Sequence, residues 1–219
     1  MVGRARRGAR STERTDSSRL RGGGRSPTAA RGLVGLERGD ERAHGRSQFR
    51  HGSLDGVFIE ELVRALSRHG VGYALVGGVA VNLHGVPRMT YDIDIVVRTD
   101  ESSLRAAAEA LGELGLRCRI PIALHTLADA AERARLEAER NLIAVTFTDP
   151  ADPLREVDIL VAPSVDPDGV VARSVIRSAG TFEVAVANLV DLLRMKRSAG
   201  RPQDLADVVH LERLQRGSS

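Results

Sequence analysis

Asp92 and Asp94 stand in the stretch YDIDIVV (Tyr91–Val97), whose β-branched residues predict a strand. Residues i and i+2 of a strand share a face, so both carboxylates leave together while Ile93, Ile95 and Val97 turn toward a core. Two like charges held close raise each other's pKa, and a hard divalent cation such as Mg²⁺, which prefers oxygen ligands, removes the conflict. Alone, an Asp-x-Asp is equally the pattern of two solvated acids on an edge strand. Asp158 adds weight to the metal reading. In REVDILV (Arg155–Val161) the apolar Val157, Ile159 and Val161 alternate with Glu156, Asp158 and Leu160, so Asp158 leaves a second strand on its polar side. If the two strands are neighbours, three carboxylates converge. Such a group around two metal ions can bind a triphosphate, activate an attacking hydroxyl and stabilise a departing pyrophosphate.

Gly77-Gly78 follows an apolar run and opens a short helical pattern, and glycines there let a backbone approach phosphate closely. An ordinary strand-to-helix turn has the same sequence, so the pair gains meaning from the acids that follow. Lys196 is the sole lysine in a chain that otherwise uses arginine, on a helical pattern carrying Leu189, Leu192 and Leu193. A compact ammonium suits a triphosphate or a developing oxyanion, and the competing reading is chance. Arg88 is placed between a phosphate contact and a loop cover. Arg201 and Asp204 are candidate partners of Lys196 or of phosphate, whereas Asp191 and Asp207 read as helix-surface or capping acids. His84 reads as structural, His125 and His210 lack metal partners at useful spacing, and Cys118 reads as a core cysteine.

The elements that must hold these groups follow from periodicity and punctuation. A helix is predicted from Ser53 to Gly70, a strand over Tyr73–Val76, a short helix over Val79–Leu83 and a strand over Tyr91–Val97. Helices follow at Glu101–Leu114 and over LADAAERARLEAER (Leu127–Arg140), then strands at Leu142–Thr148 and Arg155–Val161. Val170–Ser178 reads equally as strand or helix, Thr181–Val186 as a strand, and Leu189–Arg197 and Pro202–Leu214 as closing helices. Strands interspersed with helices predict an α/β (α+β) domain with a mixed sheet flanked by helices.

Composition bounds the rest. The 219 residues are 42% hydrophobic and 28% charged, enough for one real core. Six aromatic residues leave little for a base-stacking platform, and one cysteine excludes an intrachain disulfide and a thiolate zinc site. Charge is uneven: residues 1–50 carry +8 and residues 51–219 carry −5, so the high pI belongs to the leading segment. Residues 1–52 are Arg-, Gly- and Ser-rich and predict a disordered leader, a basic arm for nucleic acid, or a start codon placed too far upstream; the domain is expected over 53–219. No apolar run reaches the roughly 18 residues of a membrane span, so a cytoplasmic address and no membrane partner are expected.

The stretch GGVAVNLHGVPRMTYDIDIVV (Gly77–Val97) resembles the signature of the polymerase β-type nucleotidyltransferase superfamily: a Gly-Gly or Gly-Ser pair, a spacer, Asp-x-Asp, and a third acid on a later strand. Thirteen residues separate Gly78 from Asp92. His84-Gly85, Arg88 and Thr90, with the later NLVDLLRMKRSAGRPQDLADVVHL, resemble more narrowly the AbiEii/AbiGii-type toxin nucleotidyltransferases, over Leu54–Leu214. The resemblance implies a minimal polymerase β-like core with C-terminal helices. It also implies Asp92 and Asp94 as metal ligands, Asp158 as third ligand or base, Gly77 and Gly78 as phosphate-loop residues, and Lys196 and Asp204 as a second, nucleotide-side motif. The expected reaction moves a nucleoside monophosphate from an NTP to a hydroxyl acceptor with two Mg²⁺. A toxin acting on tRNA and kept with a cognate antitoxin is one form of it; a protein hydroxyl or a small molecule such as an aminoglycoside remains open as acceptor. The alternative is a non-catalytic NTP-binding or partner-binding module of the same fold, which would have little use for three clustered acids.

Overall fold

The computed structural model describes residues 56–217. The leader predicted over 1–52 and the helix cap assigned to Ser53 lie outside the described residues. The first helix, α1 (Gly56–Arg68), repeats apolar residues at helical spacing and buries Phe58, Ile59, Leu62, Val63 and Leu66 on one side. β1 (Tyr73–Leu75), α2 (Gly77–Leu83) and β2 (Ile93–Val97) follow, then α3 (Glu101–Glu113), whose cap Asp100 accepts from the Ser103 amide. β3 (Arg117–Cys118), a 3₁₀ turn at Leu124–Ala128 and α4 (Ala130–Arg140) lead to β4 (Ala144–Thr148) and β5 (Glu156–Leu160). A 3₁₀ turn at Pro163–Val165, α5 (Pro167–Ala172), β6 (Val175–Ala179), β7 (Phe182–Val186), α6 (Leu189–Ala199) and α7 (Pro202–Gly217) complete the order.

The strands form one mixed sheet in the order β3-β4-β5-β2-β1-β7-β6. β2 lies near the middle, antiparallel to β1 and parallel to β5. One face carries the main core, where Ile93, Ile95, Val157, Ile159 and Val145 meet Leu62, Leu66, Leu104 and Leu111. The other face is covered only in part, by a smaller cluster that includes Ala74, Val76, Val96, Val165 and Val170. Asp94 shares this second face with Val96 by strand alternation, so the acids emerge where the small cluster stops.

Several elements differ from the pattern-based expectation. The strand expected over Tyr91–Val97 begins only at Ile93, which leaves Asp92 in the bend before it and not on the strand beside Asp94. The helix expected over Leu127–Arg140 begins only at Ala130, because Asp129 turns its carboxylate onto the Ala131 amide and caps α4 there. Val170–Ser178 divides into the end of α5 and the start of β6, with the break at Arg173 and Ser174. β3 has two residues, too few to show any period.

Candidate active site

β2 and β5 pair in parallel with Ile93 opposite Val157, Asp94 opposite Asp158 and Ile95 opposite Ile159. The apolar partners sink into the core, which leaves the two acids side by side on the other face. Asp92 enters from the bend just before β2, and one carboxylate oxygen from each of Asp92, Asp94 and Asp158 lies within 4.8 Å of the other two. All three are half-buried. Burial, then the charges of Asp92 and Asp158, push the Asp94 carboxyl up to about 7, while Lys196 and Arg201 pull it the other way. Asp92 Oδ1 accepts a hydrogen bond from Thr90 Oγ1 at 3.0 Å. Asp158 Oδ1 is buried without a hydrogen-bond partner among the described residues. An all-oxygen donor set, an orphaned buried oxygen and a carboxyl whose ionisation is opposed together fit a hard divalent cation.

The glycine pair is built against these acids. Gly77 has φ +61, and a Cβ there would lie 1.8 Å from Asp94 Oδ2. A Cβ on Gly78 would lie 2.5 Å from Thr90 Oγ1 and 3.1 Å from Arg88 Cζ. The Val76 amide donates to the Asp94 carbonyl at 2.9 Å, which ties the start of the turn to β2. Sequence pattern gives these glycines one reason, room for phosphate; the structure adds another, room for the carboxylate and for the segment that carries it.

Lys196 is buried, its Nζ 2.7 Å from Asp204 Oδ1 and 3.0 Å from Asp207 Oδ2. Arg88 Nη1 meets the same Asp207 Oδ2 at 2.6 Å. Arg201 stays exposed, with Nε 4.0 Å from Asp204 Oδ2, an oxygen that has no hydrogen bond of its own among the described residues. The expected pairing of Lys196 with Asp204 is present, and Lys196 is already matched by two carboxylates. Asp207 is not a helix-surface acid: it is buried and joins α6, α7 and the loop before β2. Its signal was available, since Asp204 and Asp207 stand three apart on α7 and so share a face. Asp191 is also buried, not a surface acid, and it accepts from Arg173 Nε at 3.0 Å and from Asn188 Nδ2 at 2.8 Å; the cap of α6 is Asn188, whose Oδ1 accepts from the Asp191 amide at 2.9 Å. His84 Nε2 lies 2.8 Å from the Ala187 carbonyl, a structural contact, and burial lowers its pKa. Cys118 and His125 line a separate cavity of about 380 Å³ with Phe147 and Leu124, and none of the three acids reaches it.

Comparison with known proteins agrees with this architecture. The lincosamide antibiotic adenylyltransferase LnuA, solved with lincomycin bound, is similar over 74% of this chain and 99% of its own, with a TM-score of 0.50 and 13% identity. The antibiotic-resistance factor ANT(2'')-Ia (74% and 83% covered, TM-score 0.48, 13% identity) also matches. So does an antigenic nucleotidyltransferase-like protein from Paracoccidioides brasiliensis (73% and 76% covered, TM-score 0.46, 17% identity). At 13% identity the likeness to LnuA concerns the fold alone, a mixed sheet flanked by helices. No curated protein matches the sequence. The class is that of the nucleotidyltransferases, enzymes that transfer a nucleoside monophosphate. Residues 61–219 match the family described as nucleotidyl transferase AbiEii toxin, type IV TA system, and the chain belongs to that family.

Proposed function

We propose that the protein transfers a nucleoside monophosphate from an NTP to a hydroxyl acceptor in a Mg²⁺-dependent reaction at Asp92, Asp94 and Asp158. The observation that carries the metal reading is the placement of Asp94 opposite Asp158, with Asp92 in reach and Asp158 Oδ1 lacking a hydrogen-bond partner among the described residues. Asp92 and Asp94 would hold two Mg²⁺ with Asp158 as the third ligand. Mg²⁺ bound there supplies the positive charge that offsets the acids and the developing charge on the transferred phosphoryl group. Asp158 orients the acceptor hydroxyl and takes its proton. Gly77, Gly78 and Arg88 border the triphosphate, and Lys196 with Asp204 frames its far side. Thr90 holds Asp92 in place through its hydroxyl.

Family membership supports a toxin held in check by an antitoxin, and RNA is the acceptor proposed first, with the tRNA 3′ end as the specific case. No helix among the described residues is long and apolar enough to cross a membrane, and a cytoplasmic site of action fits an RNA acceptor. The test is incubation of the purified chain with each labelled NTP and Mg²⁺, in parallel with total tRNA, a mixed protein extract, and lincomycin or an aminoglycoside. Label moving to tRNA supports the proposal, and label moving only to another acceptor replaces tRNA. Asp92→Asn and Asp94→Asn should each abolish transfer with the fold retained. Transfer at the wild-type rate by either variant would remove the acids from the chemistry.

A further inference from the structure

We propose that Asp207 is a positioning residue for nucleotide transfer, holding the Arg88 guanidinium over Gly78 beside the three acids. The proposal rests on the reading of Gly78 and Arg88 as the phosphate side of the site.

Arg88 is fixed through both its backbone and its side chain. Its amide donates to Asn82 Oδ1 at 2.7 Å, and its Nη1 donates to Asp207 Oδ2 at 2.6 Å. The side chain is only 16% exposed, and its Cζ lies 3.1 Å from the point a Gly78 Cβ would occupy. A guanidinium is a rigid planar fork, so a carboxylate that grips one arm also sets the direction of the others. Nη2 has no hydrogen-bond partner among the described residues, which leaves one donor arm for an anion. Two residues further on, Thr90 holds Asp92, so the segment that Arg88 anchors is the one that presents the first acid.

Lys196 makes this arrangement affordable in electrostatic terms. Asp204 and Asp207 are both buried, and two buried carboxylates stay ionised only when matched. Lys196 and Arg88 match them one for one. Removing the charge of Asp207 leaves Lys196 its 2.7 Å contact with Asp204 but takes from Arg88 the one carboxylate it meets among the described residues. Asp207→Asn therefore perturbs Arg88 most and also takes from Lys196 the longer of its two carboxylate contacts, at 3.0 Å, so the double variant with Arg88→Ala separates the two effects. A second ion pair between α6 and α7, Arg197 with Glu212 at 2.6 Å, does not touch Arg88 and serves as the comparison for helix-to-helix attachment alone.

The experiment is calorimetric titration of the full chain with ATP, GTP, CTP and UTP, each with Mg²⁺, for wild type, Asp207→Asn, Arg88→Ala, the double variant, Arg88→Lys and Glu212→Gln, with thermal midpoints in parallel. For the NTP that wild type binds, Asp207→Asn should weaken affinity at least about tenfold. The double variant should bind no worse than Arg88→Ala alone, because Asp207 acts through Arg88. Glu212→Gln should bind as wild type does. Should Asp207→Asn fail to fold, Arg88→Lys carries the test: it keeps a charge opposite Asp207 but loses the fork, so its midpoint should hold while affinity falls. Unchanged affinity in Asp207→Asn or, where that fails to fold, in Arg88→Lys, or additive losses in the double variant, would overturn the proposal alone. A wild-type chain that binds none of the four NTPs would overturn it together with the phosphate reading beneath it.

Discussion

Gly77 and Asp94 compete for one volume: a methyl group on the glycine would lie 1.8 Å from Asp94 Oδ2 and 2.5 Å from its Cγ. The turn between β1 and α2 thus tolerates no side chain while Asp94 keeps its place among the acids.

Gly77→Ala should accordingly displace Asp94 and lose transfer. Positive φ alone costs an alanine roughly 1–2 kcal/mol. Gly70 supplies the control, with φ +66 and nothing within 4 Å of a Cβ. Thermal unfolding should show Gly77→Ala destabilised more than Gly70→Ala, and only Gly77→Ala should lose the midpoint increase given by Mg²⁺.

The metal-free protein should weaken as pH rises through the range where Asp94 titrates. Its carboxyl is raised from 3.8 to about 7, so the folded state keeps a proton that the unfolded chain has already released. That contribution is whole below the unfolded value and is lost as pH climbs through the folded one. His84 acts oppositely, since its lowered pKa makes the unfolded chain the better proton binder as pH approaches the ordinary imidazole value from below. Urea unfolding of wild type against Asp94→Asn cancels the histidine contribution. The stability of wild type relative to the variant should fall between about pH 4 and pH 7. Mg²⁺ should stabilise wild type strongly near pH 8 and little near pH 5.

Lys196→Met should be among the most damaging single changes in the chain. It leaves Asp204 and Asp207 buried with Arg88 as the one close cation among the described residues and Arg201 4.0 Å from Asp204. Breaking a buried pair from one side costs about 3–5 kcal/mol. A urea midpoint near that of wild type would show that solvent reaches the pair freely.

A chain beginning at Ser53 should match the full chain in thermal midpoint and NTP binding, because the Arg-, Gly- and Ser-rich residues before it offer little apolar surface to bury. A loss of RNA affinity on truncation, greatest at low salt, would assign those residues to an electrostatic arm.

The individual polar faces were legible in the sequence. Asp92, Asp94 and Asp158 each declare theirs through alternation with Ile and Val. Their juxtaposition was not, because parallel pairing of β2 with β5 joins segments separated by two helices and two other strands, and no local pattern encodes it. Lys196 stood out against the arginine bias, yet its burial did not, since a lysine on a helix is ordinarily solvated. Asp207 was missed because an acid on a helix is ordinarily solvated, although its spacing from Asp204 places both on one face of α7. The packing role of Gly77 was hidden because a glycine records only that space is filled, never by which atoms.

The parallel register of β2 and β5 also sets when the site can exist during synthesis. Asp92 and Asp94 leave the ribosome well before Asp158, and Lys196 and Asp207 follow later still. A partial chain carries two acids that repel each other, with neither the third carboxylate nor the buried cation that lies within reach of Asp94's charge. Long-range pairing of this kind is slow to form, because loop closure must come before any contact rewards it. Nascent chains, and chains cut short before α7, therefore lack part of the proposed site, which is complete only with the last helices in place.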